Sequence, residues 1–81
     1  MEEQLDRLIY TGQRILGNQQ VSPSAFWRWS RAVLETLDGF EPSRKEFSQR
    51  CNTPQAAHVR NGIDVLQSAK TAFALDRWRS Q

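Results

Sequence analysis

The side chains that could do chemistry in this 81-residue chain are one histidine, one cysteine and nine scattered carboxylates. Cys51 precedes His58 by seven residues, without further ligands at zinc-binding spacings. A structural zinc site takes four ligands, and a cysteine nucleophile needs a histidine that a third group orients. We therefore interpret His58 as a structural or solvated residue and Cys51 as a small, semi-buried residue at a helix end. No metal is expected.

The carboxylates and glycines form no catalytic motif either. The acidic residues do not cluster as an acid/base pair or as a cage for a hard cation. The four glycines are too far apart for a phosphate-binding loop. The sequence therefore predicts a protein without catalytic activity or cofactor, and a small hydrolase is disfavoured.

The strongest chemical signal is a run of aromatic and basic residues, Trp27-Arg28-Trp29-Ser30-Arg31, which Arg77-Trp78-Arg79 echoes near the C-terminus. Arginines between aromatics can stack on bases and neutralise phosphates, and the same residue types form hot spots in protein interfaces. At helical spacing Trp29 faces the core, whereas Arg28 and Arg31 fall on the solvated side. On the same helical periodicity, we expect Trp27 and Trp78 to be poorly buried.

Three explanations of these tryptophans stay open. Packing within the chain comes first, a protein interface second and single-stranded nucleic acid third. The net charge is +2, with −1 over residues 1–40 and +3 over residues 41–81. The basic residues of the second half do not share one helical stripe, and no helix has a polar base-reading face. Nucleic acid is therefore the alternative partner.

The length allows one domain, residues 1–81, with a single small core. A lone cysteine cannot close an internal disulfide, which favours a reducing, cytoplasmic compartment. The longest apolar run is Ala72–Leu75, too short for a membrane span or a signal-peptide core. No membrane partner is expected.

Apolar spacings of three and four predict an all-α, compact four-helix bundle of three main helices and one short helix. The first helix covers Glu2–Leu16 and ends at Gly17-Asn18, two residues that tolerate a left-handed backbone. Gly12 lies on its apolar stripe, which indicates a close approach by another helix. The second begins at Ser22-Pro23, a hydroxyl cap followed by proline, and ends at Asp38-Gly39.

The third helix is short, from Ser43 to Arg50, with Ser43 and Glu46 at the spacing of a capping box. The fourth follows a second cap-plus-proline signal, Thr53-Pro54, and runs from Pro54 to Trp78. Its predicted inner stripe consists of Val59, Gly62, Ile63, Leu66, Ala69, Ala72 and Phe73. The predicted centre of the core consists of Phe26, Trp29, Phe47, Ile63, Leu66 and Phe73.

Mostly apolar and small residues occur in a specific order along the chain. They are Leu5, Leu8, Ile9, Gly12, Ile15 and Leu16, then Phe26, Trp29, Val33 and Leu37, then Ser43 and Phe47, then Val59, Gly62, Ile63, Leu66, Ala69 and Lys70. This order resembles the small helical domain at the N-terminus of bacterial TIR-like nucleotide-binding and abortive-infection defence proteins. In those proteins the domain precedes an effector and looks like an adaptor or oligomerisation part; here we expect it to act without an effector. The resemblance implies a free-standing adaptor or a phage-encoded inhibitor of a bacterial defence complex.

The sequence therefore predicts a protein–protein interaction module. The expected partner-binding residues are Trp27, Arg28, Arg31 and Trp78. The expected partner is another protein, such as a defence complex, or a second copy of the chain. The alternative is a small nucleic-acid-binding protein that uses the same arginine and tryptophan surface.

Overall fold

A computed structural model describes residues 2–18 and 20–79, with side chains through Leu75. Within these residues the chain forms four helices and no strand: α1 (Glu2–Gly17), α2 (Pro23–Thr36), α3 (Ser43–Arg50) and α4 (Ala56–Arg79). The predicted all-α bundle with one short helix is confirmed. No helix in the described part of the chain is long and apolar enough to cross a membrane.

The bundle is organised around α4, which packs against α1 and α3, while α2 packs mainly against α1. An ion pair of 2.6 Å joins Asp6 on α1 to Lys70 on α4. Gly12, which follows Asp6 by six residues, lies against Ile63, which precedes Lys70 by seven. The two helices therefore run antiparallel.

The core is the set of apolar residues that the four helices turn inward. Leu5, Phe26, Val33, Phe47 and Leu66 are fully buried. The rings of Trp29 and Phe47 meet edge to face, with centroids 5.6 Å apart. The placement of Phe26, Trp29, Phe47, Ile63 and Leu66 in the core is confirmed.

Two glycines let the Trp29 ring reach the centre of the bundle. A Cβ on Gly12 would lie 2.8 Å from Cζ2 of Trp29, and a Cβ on Gly62 would lie 2.8 Å from its Cη2. Both distances are shorter than van der Waals contact, so an alanine at either position needs the ring to move. The close approach predicted for Gly12 is confirmed, with α2 as the approaching element as well as α4.

The start of α2 agrees with the sequence pattern. Ser22 is the N-cap, its hydroxyl accepts a hydrogen bond from the Ala25 amide, and Pro23 is the first helical residue. After α2, Gly39 adopts a φ of +79°, a left-handed conformation that side chains with a Cβ rarely take. The predicted stop at Asp38-Gly39 is confirmed, although the last helical residue is Thr36.

The end of α1 and the start of α3 lie close to their predicted positions, but the predicted capping interactions are wrong. α1 does end at Gly17, but the described chain has no left-handed residue there, and the Asn18 amide instead donates to the Ile15 carbonyl. Ser43 does not cap α3, because Pro42 occupies the N-cap position and Ser43 is already helical. The Glu41–Pro42 peptide bond is cis.

The predicted start of α4 at Pro54 is also wrong. The Gln55 amide donates to the Thr53 carbonyl, and regular helix begins only at Ala56. The Thr53 hydroxyl therefore caps nothing: it is buried and has no hydrogen-bond partner among the described residues.

The buried face of α4 differs from the predicted inner stripe at three positions, Val65, Ala72 and Phe73. Ala72 is exposed although it follows the buried Val65 by two helical turns on the same face, so the cover of that face ends between the two residues. Val65, absent from the predicted stripe, is buried. Phe73 is only partly buried and lies at the edge of the core, where its ring packs edge-on against Phe40 at 6.4 Å.

Candidate functional site

The three predicted binding residues of α2 share its outward face. Successive helical residues are about 100° apart, so Arg31 falls between Trp27 and Arg28 around the helix axis. All three side chains are exposed, whereas the neighbouring residues Phe26, Trp29 and Ser30 are buried. The solvated position predicted for Arg28 and Arg31 is confirmed. We call Trp27, Arg28 and Arg31 the α2 surface.

Trp27 is the aromatic member of the α2 surface, and half of it faces solvent, with an exposed fraction of 52%. Its ring meets the fully buried ring of Phe26 edge to face, with a centroid distance of 5.0 Å and an interplanar angle of 84°. Edge-to-face contacts of this kind are favourable and orient both rings. Trp27 thus presents a large apolar face that the core supports from one side.

Arg31 is held in place by its own helix. Its Nε lies 3.4 Å from Oε1 of Glu35, one turn later, and both side chains are largely exposed. An exposed pair at this spacing adds little to stability, but it restricts the guanidinium to the side of α2 next to Leu34 and Asp38. The guanidinium has further N–H groups that can donate hydrogen bonds.

Arg28 lies on the other flank of α2, beside a groove of about 470 Å³ between α1 and α2. On the α1 side the groove is lined by Leu8, Thr11 and Ile15. The Trp29 ring also contributes to the lining, and its Nε1 donates a hydrogen bond of 2.8 Å to the Leu8 carbonyl. This bond satisfies the polar atom of a tryptophan that is otherwise buried.

The fourth predicted binding residue, Trp78, lies within the α4 backbone, but its side chain falls outside the described residues. The structure therefore does not connect Trp78 with the α2 surface.

Two further apolar residues, Tyr10 and Leu75, are exposed, with exposed fractions of 61% and 59%, and neither was predicted to be so. Each lies about 140–180° from the buried stripe of its helix, so the same periodicity contains the signal. The guanidinium of Arg14 stacks over the Tyr10 ring at 5.9 Å, an arrangement that is weakly attractive at exposed sites. Tyr10 is thereby partly covered, whereas Leu75 on α4 is a free apolar side chain.

Cys51 and His58 have structural roles. Cys51 is buried at the end of α3, and its burial raises the pKa of the thiol from the usual 9.0 to about 12, although a hydrogen bond with the Gly62 backbone opposes the shift. His58 accepts a hydrogen bond at Nδ1 from the Asn52 amide over 3.2 Å. His58 thus satisfies a backbone donor just after α3. The predicted position of Cys51 at a helix end is confirmed, although the residue is buried rather than semi-buried.

The chain was compared with protein families, curated proteins and solved structures. None of them matches.

The described side chains place aromatic and guanidinium groups next to one another on α2. Within residues 2–75 no three His, Cys, Asp or Glu side chains are grouped as metal ligands. The α2 surface instead combines an oriented aromatic ring with two guanidinium groups, beside a groove with an apolar lining. Such a combination can bury apolar area and donate several hydrogen bonds to a partner.

Proposed function

We propose that this protein is a non-catalytic protein–protein interaction module whose α2 surface contacts the partner. The observation that carries this proposal is the half-exposed Trp27 ring, which the buried Phe26 supports from below. Tryptophan and arginine are enriched among interface hot spots, and truncation of a hot spot weakens binding by about 2 kcal/mol or more. Trp27, Arg28 and Arg31 provide both residue types within little more than one helical turn.

The physical basis is that the ring is ordered before it binds. Burial of apolar surface contributes about 25 cal/mol per Å², and ordering a mobile side chain offsets part of this gain. The edge-to-face contact with Phe26 already restricts Trp27, and the ion pair with Glu35 restricts Arg31. Binding of a partner to the α2 surface therefore costs less side-chain entropy than binding to a surface whose side chains are mobile.

We further propose that the module acts in bacterial or phage defence, in the cytoplasm. The support is the resemblance of its core positions to the helical domain of TIR-like and abortive-infection proteins. Two mechanisms fit a module without catalytic groups: assembly, as an adaptor or by self-association, and occlusion, as an inhibitor that blocks a defence complex. We include Trp78 among the partner-binding residues only because the sequence pattern around it resembles that around Trp27.

The alternative is binding of single-stranded nucleic acid. The observation in its favour is that Arg7, Arg14 and Arg28 are exposed together with the aromatic rings of Tyr10 and Trp27. Bases stack on exposed aromatics, and phosphate contacts make affinity fall steeply with salt. A labelled oligonucleotide measured at rising salt tests this alternative: salt-insensitive or absent binding removes it.

The test of the main proposal is affinity capture from a bacterial lysate with three forms of the tagged chain. The forms are the wild type, the double variant Trp27→Ala/Arg31→Ala, and Leu75→Ala as a matched control at an exposed apolar residue on another helix. We expect a protein that is retained by the wild type and by Leu75→Ala but lost with the double variant. Circular dichroism should show equal helicity in all three forms, because none of the changes lies in the core.

Equal retention by the double variant would overturn the proposal. Loss of helicity in that variant would show that these side chains are structural. Light scattering over a range of concentrations tests self-association: a dimer that the double variant abolishes identifies a second copy of the chain as the partner.

A further inference from the structure

The groove between α1 and α2 has an apolar lining that repeats along both helices. Leu8 and Ile15 are seven residues apart on α1, and Ala25 and Ala32 are seven residues apart on α2. Seven residues are two helical turns, about 10 Å. The apolar stripe of another helix repeats at about the same interval, so a helix laid along the groove can contact both pairs of residues.

The small side chains on the α2 side leave space for that helix. Ala25 and Ala32 are only partly buried, although both line the groove. Helices pack by fitting the ridges of one into the grooves of the other, and alanines allow the axes to come close. A helix lying here would cover Leu8 and Ile15 from one side and the two alanines from the other.

The border of the groove is positively charged. Arg28 lines it from α2. On α1, Arg7 and Arg14 lie four residues before and three residues after the groove residue Thr11, hence on the same side of the helix. All three arginines are exposed, and within the described residues no carboxylate lies at ion-pair distance from any of them. Arg14 stacks over Tyr10, so Arg7 and Arg28 are the charges directly available to a partner.

We propose that the α1–α2 groove binds an acidic amphipathic helix of the protein partner, an inference that rests on the proposed function. The apolar stripe of that helix packs on Leu8, Ile15, Ala25 and Ala32. Its carboxylates flank the stripe and meet Arg7 and Arg28. Charge-assisted bonds between guanidinium and carboxylate are among the stronger hydrogen bonds in proteins. The α2 surface then contacts the partner beside this helix, with Arg28 common to both regions.

The test uses a display library of helical peptides in which an apolar stripe is fixed and all other positions vary. Selection on the full chain should enrich sequences with excess Asp and Glu. Binding of a selected peptide should be lost with Ala32→Trp, which fills the groove, and weakened about tenfold or more by Arg28→Glu, which reverses the charge at its border. Leu75→Glu is the control and should leave the affinity unchanged.

Several results would overturn the inference. They are no enrichment, enrichment without acidic excess, or affinity that Arg28→Glu leaves unchanged. Arg28 is exposed, so that variant cannot fail merely by unfolding. A second measurement records the Trp29 indole N–H resonance, which should shift on peptide binding because the ring lines the groove. If a single-stranded oligonucleotide shifts this resonance and the peptide does not, the groove binds nucleic acid and the inference is wrong.

Failure of this inference is distinguishable from failure of the proposed function. If Ala32→Trp still captures the partner that Trp27→Ala/Arg31→Ala loses, the α2 surface binds and the groove does not. If neither variant changes capture, the proposed function fails as well.

Discussion

The Trp29 indole donates a hydrogen bond of 2.8 Å to the backbone carbonyl of Leu8, which joins the centre of α2 to α1. The ring reaches this carbonyl because Gly12 on α1 and Gly62 on α4 leave room for it. One side chain thus contacts all three other helices, α1, α3 and α4, and its position determines the geometry of the α1–α2 pair that carries the candidate site.

The first prediction concerns Gly62→Ala. A Cβ at this position would lie 2.8 Å from both the Trp29 and the Phe47 rings and 3.0 Å from Sγ of Cys51. Overpacking of a core costs about 1–3 kcal/mol, which exceeds the roughly 1 kcal/mol that alanine gains over glycine in a helix. We expect a net loss of about 1 kcal/mol or more in urea unfolding.

The control for this change is Gly17→Ala, at the last residue of α1. Nothing lies within 4 Å of a Cβ at Gly17, so this variant should be as stable as the wild type or slightly more stable. If Gly62→Ala is no less stable than Gly17→Ala, the close packing around Trp29 is not as described.

A second prediction separates the two neighbouring tryptophans. Trp29→Phe removes the bond to Leu8 and leaves a cavity between α1 and α2, and we expect a loss of about 2 kcal/mol in thermal or urea unfolding. Trp27→Phe keeps the ring contact with Phe26 at an exposed site and should change stability by less than about 0.5 kcal/mol. Equal effects at the two positions would contradict the assignment of one to the core and the other to the surface.

These contrasts show which features the sequence could predict. The period of three and four residues separates Trp29 from Trp27 because a helix turns about 100° per residue. The cap at Ser22 could be predicted because serine directly precedes a helix-starting proline. The same logic failed at Thr53-Pro54, and the capping-box spacing failed at Ser43, because local turns around Pro54 and Pro42 determine where these helices start.

The groove could not be predicted from spacing alone. Leu8 and Ala25 belong to different helices, and their proximity depends on how Trp29 docks between Gly12 and Gly62. The apolar periodicity of each helix indicates which face is buried but not which neighbour covers it. The exposed Tyr10 and Leu75, by contrast, follow from the helical phase and could have been found.

A third prediction concerns the Cys51 thiol. Burial raises its pKa to about 12, so the folded chain holds the proton that the unfolded chain releases near pH 9. The free energy of unfolding should therefore be unaffected by this group below pH 9 and should decrease as the pH rises from 9 towards 12. Urea unfolding at pH 8 and pH 10.5 measures the decrease, and Cys51→Ala should reduce it.

The same burial makes the thiol unreactive in the native state. A thiol reagent at pH 8 should modify Cys51 only as fast as the chain opens, and rapidly once urea unfolds it. Rapid modification of the folded chain would contradict the buried position of Cys51.

A fourth prediction concerns the ion pair of Asp6 and Lys70, which are 2.6 Å apart and both partly exposed. Hydrogen bonding to Asp6 and its charge raise the pKa of Lys70. The stabilisation is therefore present at neutral pH and lost only as the pH rises through the lysine range. Because solvent and salt screen such pairs, Asp6→Asn should destabilise the protein less than Gly62→Ala does, and less still at high salt.

The central claim is that the exposed α2 surface binds a protein partner. Its most direct test is the dissociation constant of the captured partner for the purified wild type, for Trp27→Ala/Arg31→Ala and for Leu75→Ala. Loss of a hot spot predicts a weakening of about 30-fold or more for the double variant and little change for Leu75→Ala. Equal dissociation constants for the wild type and the double variant would contradict the claim.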